Sequence, residues 1–281
     1  MVPWDARTVG PWKSELDGAD VVINLAGRSV NCRYTPENRA AILASRVEST
    51  RAVGQAIAQC TRPPRVWLQA STATIYAHRS DAPNDDVTGI LGGHEPDAPA
   101  SWRFSIEVAT AWERAATDAL SAGPSATRLV LLRAAMVMSP DRGGIFAMLL
   151  RLVRFGLGGP AAGGRQYVSW IHEHDFVRAL AWIIAHDALS GAVSVASPNP
   201  LPYRDFMREL RRAAGVPIGL PATRWMLALG TWALRTESEL VLKSRRVVPR
   251  LLVDSGFSFQ YPEWPAAARD LVHRAKHGAT S

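Results

Sequence analysis

The sequence is poor in cysteine, in long apolar runs and in clustered charge. Two cysteines, Cys32 and Cys60, occur in 281 residues. They are too few for a disulfide framework and have no metal-ligand spacing, which predicts a reducing, cytoplasmic setting and no zinc or redox centre. No segment reaches the roughly 18 uninterrupted apolar residues of a membrane helix, and Met1 to Ser14 lacks the apolar stretch of a secretory signal. The chain therefore reads as soluble, with no membrane partner. The net charge is +7, but the basic residues are scattered among acidic ones and are not grouped with aromatics. No specific nucleic-acid surface is expected. With 47% hydrophobic and 20% charged residues, disorder and coiled coil are excluded, and one large core, with or without a smaller lobe, can be buried.

What is present begins with Asp20 to Gly27, Asp-Val-Val-Ile-Asn-Leu-Ala-Gly. Consecutive apolar residues without alternation suit a strand covered on both faces of a parallel sheet. Asn24, Ala26 and Gly27 then fall at its carboxyl end, where ligands bind in such sheets. Thr35-Pro36-Glu37 announces a helix over Pro36 to Cys60. Further strands are predicted at Arg65 to Ala70, Arg128 to Arg133, Tyr167 to Ile171 and Gly191 to Ala196, with helices at Phe104 to Ala122, Ile145 to Phe155 and from His172 to His186. His78 to Pro99 is rich in Asp, Pro and Gly and predicts a surface loop or lid. This alternation implies right-handed crossovers and an α/β doubly wound parallel sheet over residues 1–197. Residues 198–281 predict a small helical lobe, with helices at Tyr203 to Ala214, Thr223 to Leu234, Glu237 to Arg245 and Pro265 to Lys276. Within it Trp225, Met226, Leu229 and Trp232 form an apolar packing stripe.

Two stretches could carry chemistry. Gly156 to Gln166 is dense in glycine, which either lets backbone approach a ligand or makes a plain tight connection. His172-Glu173-His174-Asp175 lacks the i, i+4 histidine spacing of a helical metal site. A capping role for Asp175 and a buried hydrogen-bonding role for His172 are favoured over metal ligation.

Asn24-Leu-Ala-Gly27, Ser71-Thr72-Ala-Thr-Ile-Tyr76, Phe104 through Trp112-Glu113, Gly156-Leu-Gly-Gly-Pro160, Gly164-Arg-Gln166, Ser169-Trp-Ile-His172, Val248-Pro249 and Gly256-Phe-Ser-Phe259 together resemble the epimerase-like, atypical extended short-chain dehydrogenase/reductases, which end in a C-terminal domain of unknown function. The resemblance covers nearly the whole chain. It implies a Rossmann-like domain that binds NADP or NAD, with NADP favoured, and an epimerase or oxidoreductase activity on a small or nucleotide-linked substrate. Carried over as cofactor-contacting are Asn24, Leu25, Ala26, Gly27, Ala70 and Ser71. Thr72 matches the catalytic Ser/Thr position, with Ser71 and Tyr76 as further candidates, although Tyr76 reads equally as a core residue. Gly158, Gly159, Arg165, Gln166 and His172 are carried over to the substrate side, with His172 a candidate base.

Two departures stand out. Active members of the wider family carry Tyr-x-x-x-Lys, in which a nearby ammonium lowers the phenol pKa for proton exchange. Counting back from Glu113, those positions fall on Ser105 and Ala109. The resemblance also implies an initial strand, a Gly-x-x-Gly-x-x-Gly turn and a helix that hold the pyrophosphate. No such motif occurs in the sequence, so a first βαβ unit of about 30 residues is expected to be missing. The edge of the Val21 strand would then be open to self-association. These departures keep a noncatalytic nucleotide- or protein-binding member of the same fold as the alternative.

Overall fold

The structure is a computed structural model that describes residues 1–79, 81–95, 100–121, 126–141, 143–221 and 243–277. In chain order the described elements are β1 (Val21–Asn24), α1 (Pro36–Ala58), β2 (Val66–Thr72), α2 (Ala100–Ser121), β3 (Arg128–Ala134), β4 (Met136–Met138), α3 (Ile145–Arg154), β5 (Tyr167–Val168), β6 (Trp170–His172), α4 (Glu173–Ala185), β7 (Gly191–Val195), β8 (Leu201–Pro202), α5 (Tyr203–Ala214), α6 (Arg250–Asp254) and α7 (Trp264–His277). The four strands β1, β2, β3 and β7 lie side by side in that order, all parallel. This is the expected α/β, Rossmann-like arrangement, and β1, the strand expected to be open at one edge, is an outer strand of the described sheet.

The central strands β2 and β3 are largely apolar because both faces are covered, whereas Ile23 of the outer strand β1 is exposed. Alternate residues of β2 point opposite ways: Trp67 joins Trp12, Val53, Ile57 and Ala116 on the side of α1 and α2, while Val66 and Leu68 join Val130, Ile183, Val193 and Leu252 on the side of α4. Helices α1 and α2 approach so closely that a Cβ on Gly54 would lie 2.3 Å from that of Ala119. A further core, with Phe146, Leu150, Trp170, Phe206, Leu210, Trp264 and Leu271, draws α3, β6, α5 and α7 together. The core of the helical lobe therefore runs across residue 197.

Three local expectations change. The stretch 167–171 is two short strands, β5 pairing antiparallel with β8 and β6 parallel with β4. They part at Ser169, whose hydroxyl donates to the Arg245 carbonyl at 2.7 Å and accepts from the Val247 amide at 2.8 Å. The cap of α4 is His172, whose Nδ1 accepts from the His174 amide, and Asp175 is wholly buried instead. The described part of the 78–99 stretch is tied to the body at Asn84 and at Asp86: Asn84 bridges to Val247, and the Asp86 carboxylate accepts from the Ser194 and Leu251 amides. The helix expected over 223–234, its apolar stripe and most of the 237–245 helix lie outside the described residues.

Candidate active site

The register of the sheet brings the ends of β2 and β3 level, with β1 ending three residues short of them. Asn24 pairs with Gln69, Ser71 with Arg133 and Thr72 with Ala134. At β1, the Asn24 side chain is buried and engaged on both sides: Nδ2 donates to Gln69 Oε1 and Oδ1 accepts from the Ala26 amide, each at 3.0 Å. Asn24 thus shapes the turn rather than reaching out of it. Leu25 is exposed, and Gly27 lies flush against Arg46, whose Cζ would sit 3.4 Å from a Cβ at that position.

Beneath the strand ends runs a closed polar network. Arg133 grips Glu113 with two bonds of 2.8 and 2.9 Å, and Ser71 donates to Glu113 at 2.6 Å. Arg133 also donates to the Tyr76 hydroxyl, which shares a hydrogen bond with Ser194. Burial works against the Arg133 cation, but Glu113 outweighs it and holds the guanidinium pKa above its ordinary value. Burial raises the Tyr76 phenol despite these two bonds. A buried phenol that is harder to ionise, with its oxygen already committed, is a poor general base. Tyr76 and Ser71 therefore join sheet, helix and loop, and neither lines the cavity described next.

That cavity, of about 220 Å³, opens beside the ends of β2 and β3. Thr72, Ala73, Thr74, Ala134 and Ala135 line one side, and Ile42, Phe104, Ser105, Val108 and Trp112 of α1 and α2 line the other. Tyr34, Arg46, Ser169 and Arg245 complete its polar lining. Thr72 Oγ1 accepts from the Thr74 amide at 3.2 Å and donates to Thr74 Oγ1 at 3.1 Å. Thr74 Oγ1 also accepts from Arg245 Nε at 3.2 Å. Thr72 is the catalytic candidate that the structure brings into the cavity, together with Ser105, the position where the resemblance leads one to expect a tyrosine. Ala109 is buried away from it. Sequence reasoning missed Tyr34, Arg46, Trp112, Ser169 and Arg245. A pairing of helix faces across α1 and α2 could have found Arg46 and Trp112, but nothing local links Arg245 to strand ends more than 100 residues earlier.

The substrate-side candidates are placed elsewhere. His172 is fully buried, and because Nδ1 accepts from the His174 amide, its proton lies on Nε2 and is donated to Asp270 at 3.0 Å. Tyr261 stacks on the ring at 4.0 Å. Burial, opposed by Asp270, pushes its pKa below the ordinary value. His172 fastens α4 to α7 and does not line the cavity. The glycine stretch is a tight connection: Gly159 packs against the Gly219 and Leu220 carbonyls so closely that a Cβ would lie within 2.5 Å of both, and Gly158 offers its carbonyl to Arg211. Arg165 is exposed, and Gln166 donates to the Ala161 carbonyl and accepts, through its own carbonyl, from the Tyr203 amide. None of these four lines the Thr72 cavity. Among the described residues there is no cluster of histidine, cysteine and carboxylate able to hold a metal ion, and no helix long and apolar enough to cross a membrane.

Comparison with known proteins places this geometry. Residues 9–196 match the model of the NAD dependent epimerase/dehydratase family, and residues 222–271 match a domain of unknown function, DUF1731. The epimerase family protein SSP1921 of Staphylococcus saprophyticus is 33% identical over 93% of this chain and 83% of its own. The epimerase family protein SDR39U1 of Bos taurus is 29% identical over 96% and 87%. Among solved structures, human epimerase family protein SDR39U1 (isoform 2) with NADPH superposes with a TM-score of 0.79 at 25% identity, over 91% of this chain and 82% of that one. A nucleoside-diphosphate sugar epimerase from Corynebacterium glutamicum gives 0.71 at 27% identity, over 96% of this chain and 50% of that one. The chain belongs to the NAD dependent epimerase/dehydratase family.

Proposed function

We propose that the protein is an NAD(P)-dependent epimerase-like oxidoreductase acting on a small or nucleotide-linked molecule, with NADP the preferred cofactor. The observation that carries this reading is the cavity at the level ends of β2 and β3, beside the Asn24 to Gly27 turn and holding Thr72. The small side chains of Ala73, Ala134 and Ala135 leave one side open for a flat ring. Leu25, in the turn that follows β1, is exposed. These residues fit the nicotinamide half of a dinucleotide, and Ala26, Gly27, Ala70 and Thr72 would hold it. The NADPH in the structure of the human relative supports this assignment. When bound, a nicotinamide supplies or accepts a hydride.

The residues of this chain act on the oxygen of the reacting carbon. Thr72 donates its proton to Thr74 and keeps a lone pair for a substrate hydroxyl. Thr74 accepts from both Thr72 and Arg245, so its own proton is available to a substrate carbonyl. Ser105 adds a third hydroxyl from α2. Arg245 polarises Thr74 as a donor, which favours charge developing on the substrate oxygen.

Hydrogen exchange of the full chain with and without NADPH tests the placement. Protection is expected at 24–28, 70–74 and 134–136, and protection confined to other segments contradicts it. A second reading, a noncatalytic nucleotide-binding member of the family, is favoured by Ser105 and Ala109 at the Tyr-x-x-x-Lys positions. NADPH protection without consumption of NADPH by any carbonyl substrate would favour it.

A further inference from the structure

The cavity has a charge imbalance. Among the described residues its charged lining side chains are Arg46 and Arg245, and no carboxylate lines it. Arg46 is held firmly: Nη1 donates to the Arg28 and Ile42 carbonyls at 3.1 and 3.0 Å. Its guanidinium lies 5.0 Å from the Trp112 ring centroid, and Trp112 is itself fixed by a 3.0 Å bond to Thr50. Gly27 packs on another side, where a Cβ would meet Arg46 at 3.4 Å, an ordinary contact distance. Among the described residues no carboxylate pairs with this half-buried cation. Burial pushes its pKa below the ordinary arginine value, with Tyr34 opposing.

A desolvated guanidinium without a counter-charge is costly unless a ligand completes it. A planar fork also matches a carboxylate or phosphate. Resting on the functional reading above, we propose that the substrate carries a carboxylate or phosphate group that pairs with Arg46, while its apolar body lies against Val30, Phe104 and Val108. Such an anion anchors the molecule at the α1 side of the cavity and leaves its reacting oxygen to Thr72 and Thr74.

Calorimetric titration of the full chain with phenyl phosphate, benzoate and the neutral control benzamide, and separately with NADPH, tests this. The wild type should bind both anions saturably and benzamide at least tenfold more weakly. Arg46→Gln should weaken the anions about tenfold or more, the scale of one charge-assisted hydrogen bond. Arg46→Lys, which keeps the charge and the fold, should recover part of the loss. Equal anion binding by wild type and Arg46→Gln, no anion binding by the wild type, or benzamide binding as well as benzoate overturns the proposal. So does loss of NADPH affinity in Arg46→Gln with phenyl phosphate competing against NADPH, because Arg46 would then serve the cofactor. Failure of NADPH to bind the wild type while the anions bind as expected overturns the functional reading and not the anion site.

Discussion

Glu113 matters to this molecule through Arg133. Both side chains are about nine-tenths buried, at 12% and 11% exposure, so removing one charge strands the other in a poorly solvated place. Glu113→Gln should cost about 3–5 kcal/mol in urea unfolding, whereas Arg65→Ala, which breaks the exposed pair with Asp187, should cost about 1 kcal/mol or less. Equal costs would contradict the network described here. His172 makes a pH-dependent contribution of definite sign. Its folded pKa lies below the ordinary 6.5, chiefly through burial, and so does that of His78, through burial and then Lys243. The unfolded chain then takes up protons near pH 6.5 that the folded chain refuses, so stability falls as pH drops below that value. Unfolding free energy should be lower at pH 5.5 than at 7.5, with a shallower decline in His172→Gln, and an identical slope in the two proteins would contradict this. The sequence favoured a buried hydrogen-bonding role for His172 over metal ligation, but could not show that its partner was Asp270, because 98 residues of chain separate them.

Among the elements, the join between α4 and the C-terminal helix α7 is poorly visible in sequence and is made by a cluster of charged and polar side chains. Asp175 accepts from the Gln260 and Tyr261 amides at 2.8 and 2.7 Å and from Arg178 at 2.7 Å, and Arg274 reaches both Glu173 and Asp270. Burial works to raise the Asp270 carboxyl, yet bonds from His172, Tyr261 and Arg274 hold it below its ordinary value. Asp175→Ala leaves two backbone amides without their acceptor. Amide exchange over 256–277 should then accelerate while β2 and β3 stay protected; acceleration spread evenly through the sheet would contradict a local join. The strands themselves were legible as apolar runs, and Thr35 was legible as the cap of α1, where it accepts from the Asn38 amide. Local pattern could not show the break between β5 and β6, because Ser169 answers to the backbone at 245–247.

For the molecule as a whole, the family and the parallel sheet could be read from a set of short motifs, but the roles within the site could not. The Asn24 to Gly27 turn marked the right edge of the sheet. Its asparagine braces the turn, and its glycine lies within contact distance of Arg46. Of Ser71, Thr72 and Tyr76, five residues apart at most, one lines the cavity and two hold the Arg133 network. Which side of a strand end faces a cavity depends on the helices packed over it, here α1 and α2, and neighbouring motif residues do not record that. The central claim is that these strand ends hold a nicotinamide dinucleotide. Titrating the purified 281-residue chain with NADPH while following nicotinamide fluorescence tests it most directly: the account predicts a saturable change that is weakened by Gly27→Val, and no change up to millimolar NADPH would contradict it.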